Sequence, residues 1–353
     1  MVRPRTLSWR RLNRSLLARQ LLLERAALGP EQGIERLGGL QTQYAPSAYV
    51  GLFSRLADFR RQDLTDALSR RRVVQGWVMR STIHMVSAGD HAPLCLAVRE
   101  ARRTWFRRTF PDARELDLPR VAAIVEDVLA DGPRRQAEIV EVLDAAGLPR
   151  SAFTAAQLWT DLVRVPPAGT WEQPRAHVYG LARTWLPRRR PGDLPAAEER
   201  LVQRYLRGYG PASPPDVARF AGWTVTATRG VLARMELRPF VDPDGRELVD
   251  LPRAPLPDED VHAPVRLLSN FDALLLLGHA QRAGVVPAEH REKVFHTRMP
   301  QSTPVVLVDG RVAGTWQWDA GRVRASLFAA VPASAGTELD AEIARLEAFA
   351  AAD

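Results

Sequence analysis

The chain has 353 residues, 46% of them hydrophobic and 25% charged, which fits a folded protein of roughly two to four domains and argues against disorder. The formal net charge of +8 points to a polyanionic partner, and it is unevenly spread: residues 1–110 hold 20 arginines against 8 acidic residues, a net of +12, leaving 8 − 12 = −4 for the remainder. The single cysteine, Cys95, excludes an internal disulfide, a cysteine-rich zinc site and an iron–sulfur cluster.

The N-terminus is rich in arginine, and no apolar stretch with a cleavage site follows it. No apolar run approaches the roughly 18 residues of a membrane span; the longest is Ala273 to Gly278 with its neighbours. The expectation is a cytoplasmic chain with no membrane partner. Ser8 is placed to cap an amphipathic helix over 8–28, with Leu12, Leu16, Leu17 and Leu21 near one face. A short helix over 31–37 breaks at Gly38-Gly39, and Gln41-Thr42-Gln43-Tyr44-Ala45-Pro46 follows. Helical patterns cover 47–58 and 62–70, and β-branched alternation over 73–86 reads as a hairpin, or wing.

Helices followed by a short hairpin make a winged helix, and the pattern recurs. Helices are expected over 119–131, 133–146 and 153–164, then a wing over 171–186 and a basic linker, Arg188-Arg189-Arg190. The third copy has helices over 196–207 and 213–220, a turn at Ala221-Gly222-Trp223 and a candidate recognition helix over 224–234. Its hairpin over 237–251 turns at Asp242-Pro243-Asp244-Gly245. Pro252, Pro255, Pro257 and Pro264 stiffen a linker over 252–264. Residues 265–277 and 304–331 read as strand-rich, and 336–352 as a closing helix. The predicted class is therefore mainly α with short β wings (α+β). Winged-helix units are expected over 1–115, 116–192 and 193–255, with a small C-terminal α+β element over 256–353.

Gln41 and Gln43 are two residues apart. Gly38-Gly39 before them and Pro46 after them disfavour a continuous helix, and in extended backbone both carboxamides point the same way. Arg80, Thr82 and His84 fall on one face of a predicted strand, where they either line a pocket or form an ordinary exposed wing. Arg99, Arg102, Arg103, Arg107 and Arg108, with Trp105 and Phe106 among them, have the pattern of a helix that tracks phosphates; the plain alternative is a solvated face. Asp272, in Ser269-Asn270-Phe271-Asp272, is either a carboxylate beside the site or a strand-end cap. Tyr44, Tyr49 and Phe53, near the glutamines, are expected to line an open cleft. Cys95 sits in an apolar run and is expected in the core. His279, His290 and His296 lack metal-ligand spacing and there is no glycine-rich phosphate loop, so neither metal nor cofactor is expected.

Gly-Leu-Gln-Thr-Gln-Tyr-Ala-Pro-Ser (39–47), Met-Arg-Ser-Thr-Ile-His-Met-Val (79–86) and Val-Asp-Gly-Arg-Val-Ala-Gly-Thr-Trp (308–316) resemble the AlkZ-like winged-helix DNA glycosylases over nearly the whole chain. That resemblance implies excision of alkylated purines from double-stranded DNA, repair of crosslinks and resistance to alkylating natural products. It maps the catalytic Gln-apolar-Gln element onto Gln41 and Gln43. Thr42 departs from the apolar middle residue, a mild change because that side chain should point away from the site. Lys293 is the only lysine, so a Schiff-base, strand-nicking route is disfavoured and a water-using, monofunctional enzyme is expected. A winged-helix transcription regulator or a non-enzymatic damage-binding protein would share the fold and the charge. Three units in one chain suit a monomer clamped around one lesion better than a dimeric regulator.

Overall fold

The structure, a computed structural model, describes residues 4–113, 115–187, 192–276, 282–295 and 302–352. Arg188-Arg189-Arg190, His279 and His296 therefore lie outside the described residues. The Ser8 hydroxyl accepts from the Arg11 amide at 3.1 Å and starts the helix Trp9–Arg19, which buries Leu12, Leu16 and Leu17. This helix is shorter than the sequence pattern because Leu21 takes left-handed backbone (φ 56) and the Leu22 amide bonds back to the Leu17 carbonyl at 2.8 Å. Pro30 opens the next helix, Pro30–Leu37, which ends on Gly38 in the left-handed conformation (φ 75). Gly39 is also left-handed (φ 93), and a Cβ there would come within 3.0 Å of the Met79 side chain. The two glycines thus turn the chain sharply into the short strand Leu40–Gln41.

That strand is the edge of a six-stranded sheet. From the edge the order runs Leu40–Gln41, Ile83–Ser87, Val73–Trp77, Leu162–Arg164, Val178–Leu181 and Arg134–Arg135, with every neighbouring pair antiparallel. The hairpin expected over 73–86 is its centre. The second wing begins earlier than expected. Helix Ser151–Trp159 stops where the Thr160 hydroxyl bonds to the Ala156 carbonyl (2.8 Å) and Asp161 turns left-handed (φ 51), freeing 162–164 to pair. Residues 75 and 76 pair with 164 and 163, so the expected boundary at 115/116 is not a break in the sheet.

Helices Leu194–Tyr209, Pro214–Ala221 and Val225–Leu232 precede the hairpin Arg238–Val241 and Glu247–Asp250. Ser213 caps the middle helix in a reciprocal pair with Asp216, left-handed Gly222 ends it, and the Thr224 hydroxyl caps the third. Arg5–Thr6 adds a parallel strand to this hairpin, so the N-terminus completes the sheet of residues 238–250. The C-terminal element is an antiparallel sheet of Arg266–Leu268, Val305–Val308, Arg311–Asp319 and Arg322–Leu327, covered by the helix Ala333–Ala351. The strand expected over 265–277 is confined to 266–268, because the chain turns at Phe271 (φ 61) and is helical over Ala273–Leu276. Leu267, Val306, Trp316, Leu346 and Phe349 share one core with Leu52 and Phe53. The C-terminal element therefore rests on helix Ala45–Phe53, the segment directly after the two glutamines.

Much of the basic first third is spent on joining the chain to itself. At least eight of its twenty arginines pair with carboxylates beyond residue 110: Arg10 and Arg14 with Asp309, Arg11 with Asp258, Arg19 with Asp250, Arg25 with Glu342, Arg55 with Asp272, and Arg99 and Arg102 with Asp161. Arg19 and Arg55 make bidentate pairs at 2.8 and 2.9 Å, sealed from solvent. Part of the +12/−4 asymmetry is thus internal complementarity, and the arginines engaged in it are held within the fold. Among the described residues no helix is long and apolar enough to cross a membrane.

Candidate active site at the Gln-Thr-Gln element

Gln41 ends the edge strand directly opposite His84, and side chains opposite one another in an antiparallel ladder share a face. The Thr42 amide continues the ladder to the Ile83 carbonyl at 2.8 Å, after which the chain bends at Gln43 and enters the helix at Ala45. Gln41 is 8% exposed and Thr42 is fully buried, while Gln43 and Tyr44 are exposed. The middle side chain thus turns inward, Gln41 is nearly covered and Gln43 is open to solvent. The Thr42 hydroxyl is buried and has no hydrogen-bond partner among the described residues. Tyr49 and Phe53, expected beside Tyr44 in an open cleft, are instead core residues, because helix Ala45–Phe53 is covered by the C-terminal element.

Arg80 reaches Gln41: its Nη2 donates to Gln41 Oε1. Arg80 does not lie on a strand face as expected but in a tight turn, Met79–Ser81, where Arg80 (φ 54) and Ser81 (φ 52) are both left-handed. Such backbone is costly for non-glycine residues and recurs where a side chain must be aimed. Burial lowers the pKa of this guanidinium, and among the described residues no carboxylate pairs with it. His84 is buried, and its Nδ1 stands 3.0 Å from the Thr82 carbonyl, which can only accept, so Nδ1 carries the proton. Burial first, then the charge of Arg80, pushes its pKa down to about 3, so this imidazole is neutral at physiological pH.

Asp272 is brought toward the region but not to the glutamines. Both of its oxygens accept from Arg55 (2.9 Å each), and Oδ1 also takes the Leu274 amide at 3.0 Å. It is a capping and pairing residue. Its neighbours Asn270 and Ser269 bind Ser47: Asn270 Oδ1 lies 2.5 Å from the Ser47 hydroxyl, and the Ser269 hydroxyl donates to the Ser47 carbonyl at 2.9 Å. The loop 269–272 therefore fixes the helix that begins just after Gln43.

The arginine row divides. Arg102 is buried, held by Asp161 at 2.8 Å and by the Trp77 carbonyl, so it cannot reach a phosphate; the expectation of a backbone contact is corrected at this position. Arg99 also pairs with Asp161 at 3.4 Å, while Arg103 and Arg107 lie 4.8 and 5.6 Å from the Trp159 ring centre. Arg107 and Arg108 are exposed. Arg108 joins Arg80, Arg219, Trp105, Trp223 and Thr224 around a cleft of about 640 Å³, between helix Ala88–Thr109 and the residues opening helix Val225–Leu232. No local pattern marks Arg219; the packing of helices Pro214–Ala221 and Val225–Leu232 beside the long helix brings it there. Glu100, on the same wall, pairs with Arg103 at 3.4 Å.

Cys95 is buried and its thiol is pushed up to about 12, so it is no nucleophile. Among the described residues no three His, Cys, Asp or Glu gather as metal ligands. Lys293 stands 4.6 Å over the Phe328 ring in the C-terminal element.

The sequence profile of the family described as DNA glycosylase AlkZ-like matches residues 34–349. An interstrand DNA cross-link repair glycosylase of Streptomyces sahachiroi is 25% identical over 341 residues, covering 88% of this chain and 88% of that protein. The solved structure of the Streptomyces sahachiroi DNA glycosylase AlkZ superposes with a TM-score of 0.80, at 20% identity and over 97% of both chains, and so shares the fold.

Proposed function

This chain belongs to the AlkZ-like DNA glycosylase family, and from that premise we propose that it hydrolyses the N-glycosidic bond of N7-alkylated purines in duplex DNA, leaving an abasic site. Family membership makes it an enzyme, which sets aside the regulator and the purely damage-binding readings. The observation that supports the substrate class is that, among the described residues, no acid–base pair stands at the glutamines. Asp272 is consumed by Arg55 and by a backbone amide, and His84, opposite Gln41, is neutral. Carboxamides neither protonate a leaving group nor take a proton from water with any strength. The leaving base must therefore arrive already activated. An N7-alkylated purine does so, because its ring carries a positive charge and departs as a neutral base while the sugar moves toward an oxocarbenium ion.

Gln43, exposed at the bend, orients the attacking water. Gln41 offers the second lone pair of its amide oxygen to the sugar cation, the first being held by Arg80. Oriented dipoles of this kind supply several kcal/mol. A bare guanidinium beside a developing cation would oppose the reaction, so Arg80 contributes best when a DNA phosphate neutralises it. The cleft of Arg80, Arg108 and Arg219 with Trp105 and Trp223 is the place where the duplex meets this residue. The name of the Streptomyces relative extends the substrates to interstrand crosslinks, in which both attached bases are alkylated.

The test uses duplex DNA with a single N7-alkylguanine, followed by alkali. Alkali-dependent breaks at the lesion, with no borohydride-trapped adduct, are expected of a monofunctional enzyme whose one lysine is engaged on Phe328. Arg80→Ala should weaken binding to any duplex and reduce the magnitude of the salt slope by about one. Strand breaks without alkali, or a trapped adduct, would overturn the monofunctional route.

A further inference from the structure

We propose that a second pocket, bounded by Arg36, Arg207 and Arg253, binds a phosphate group. It has a volume of about 450 Å³ and is closed on one side by the linker Leu251–Pro255. Arg36 lies in the last turn of helix Pro30–Leu37 and Arg207 in the last turn of Leu194–Tyr209. Among the described residues no carboxylate pairs with any of the three, although most of their neighbours are paired.

The nearby anions are already committed. Glu35 accepts from Ser87 and Arg204, and Asp90 from Arg200 and Arg204. Arg36 Nε is buried without a partner. The linker's carbonyls are also used: Arg19 donates to Pro255 O (3.0 Å), and Arg238 to Leu251 O (3.2 Å) and Ala254 O (2.9 Å). Those bonds fix the pocket wall and remove its acceptors, so the remaining polar groups are chiefly guanidinium donors. Burial, and then the charges of Arg204, Arg36 and Arg200, lower the pKa of Arg207, with Glu35 opposing them only in part. Glu236 is the one carboxylate on the rim, and it forms no ion pair there among the described residues. Three forked donors facing a single carboxylate match a tetrahedral anion with several acceptor oxygens.

Such a phosphate belongs either to a DNA backbone or to a free phosphate compound. The first source rests on the glycosylase reading and the second does not. The experiment compares the full-length protein with Arg207→Ala/Arg253→Ala, both exposed positions, and with Glu236→Gln. Lesion-free duplex binding is measured against salt, and thermal shift is measured against inorganic pyrophosphate. A salt slope smaller in magnitude by about one to two in the double variant, with tighter binding by Glu236→Gln, identifies a backbone phosphate. An unchanged slope with a pyrophosphate-induced rise in Tm that the double variant loses identifies a free phosphate compound. Neither the slope nor the pyrophosphate response changing in the double variant would overturn the proposal. Excision by the unaltered protein, read separately, reports on the glycosylase reading whichever result is obtained.

Discussion

Thr42 shows how closely the site's chemistry is tied to single atoms. Its side chain is fully buried, and its hydroxyl has no partner, a state that costs about 1–3 kcal/mol. Thr42→Val keeps the shape and removes the orphaned oxygen. It should raise the unfolding free energy by about 1 kcal/mol while leaving excision within twofold, as read by denaturant titration beside an activity assay; a loss of activity would mean the hydroxyl acts in the reaction. His84 and His91 belong to the same buried layer, with pKa values pushed down by burial to about 3 and about 4. In the unfolded chain each takes a proton near the ordinary 6.5, so below that pH the unfolded state holds more protons than the folded one. Stability should therefore be intact above pH 7 and fall as the pH drops toward 4, by about 1.4 kcal/mol per pH unit for each imidazole. Thermal melts across that range check this, and His91→Gln should flatten the slope. A Tm that does not move between pH 7 and 4.5 would contradict it.

At the scale of elements, the two glutamines were legible because glycines and proline punctuate them, and backbone punctuation is a local property. The turn that aims Arg80 was not. Met-Arg-Ser-Thr-Ile-His alternates like a strand, and nothing in those residues announces two consecutive left-handed conformations without glycine. Arg102 shows the same limit: helical spacing places it beside Arg99 and Arg103, but burial against Asp161, 59 positions away, decides its role. From sequence Asp272 reads as either a site carboxylate or a strand-end cap, and in the structure it makes a bidentate pair with Arg55. Asp272→Ala should leave a sealed guanidinium uncompensated and cost about 3–5 kcal/mol, measured by chemical denaturation. A cost below 1 kcal/mol would show that the pair does not hold helix Ala45–Phe53 to the C-terminal element.

At the scale of the whole molecule, the helical and hairpin segments were readable one by one, because period and turn chemistry are written locally. Their assembly was not. The six-stranded sheet joins residues on both sides of position 115, and Arg5–Thr6 crosses to pair beside Phe240 and Val241. Part of the charge asymmetry is complementarity between the two parts of the chain. Among the described residues, the guanidinia that line a cleft and pair with no carboxylate include Arg80 and Arg108 in the first cleft and the three of the second pocket. The account as a whole depends on the glutamines, a pair that does not titrate, acting on a base that is already activated. The most direct measurement is single-turnover excision from an N7-alkylguanine duplex by Gln41→Ala/Gln43→Ala, with binding to the same duplex measured in parallel. Excision should fall by at least 100-fold, the loss of about 2.7 kcal/mol or more of transition-state stabilisation, while the dissociation constant changes less than threefold. Excision retained within tenfold, with the protein folded and bound, would contradict it.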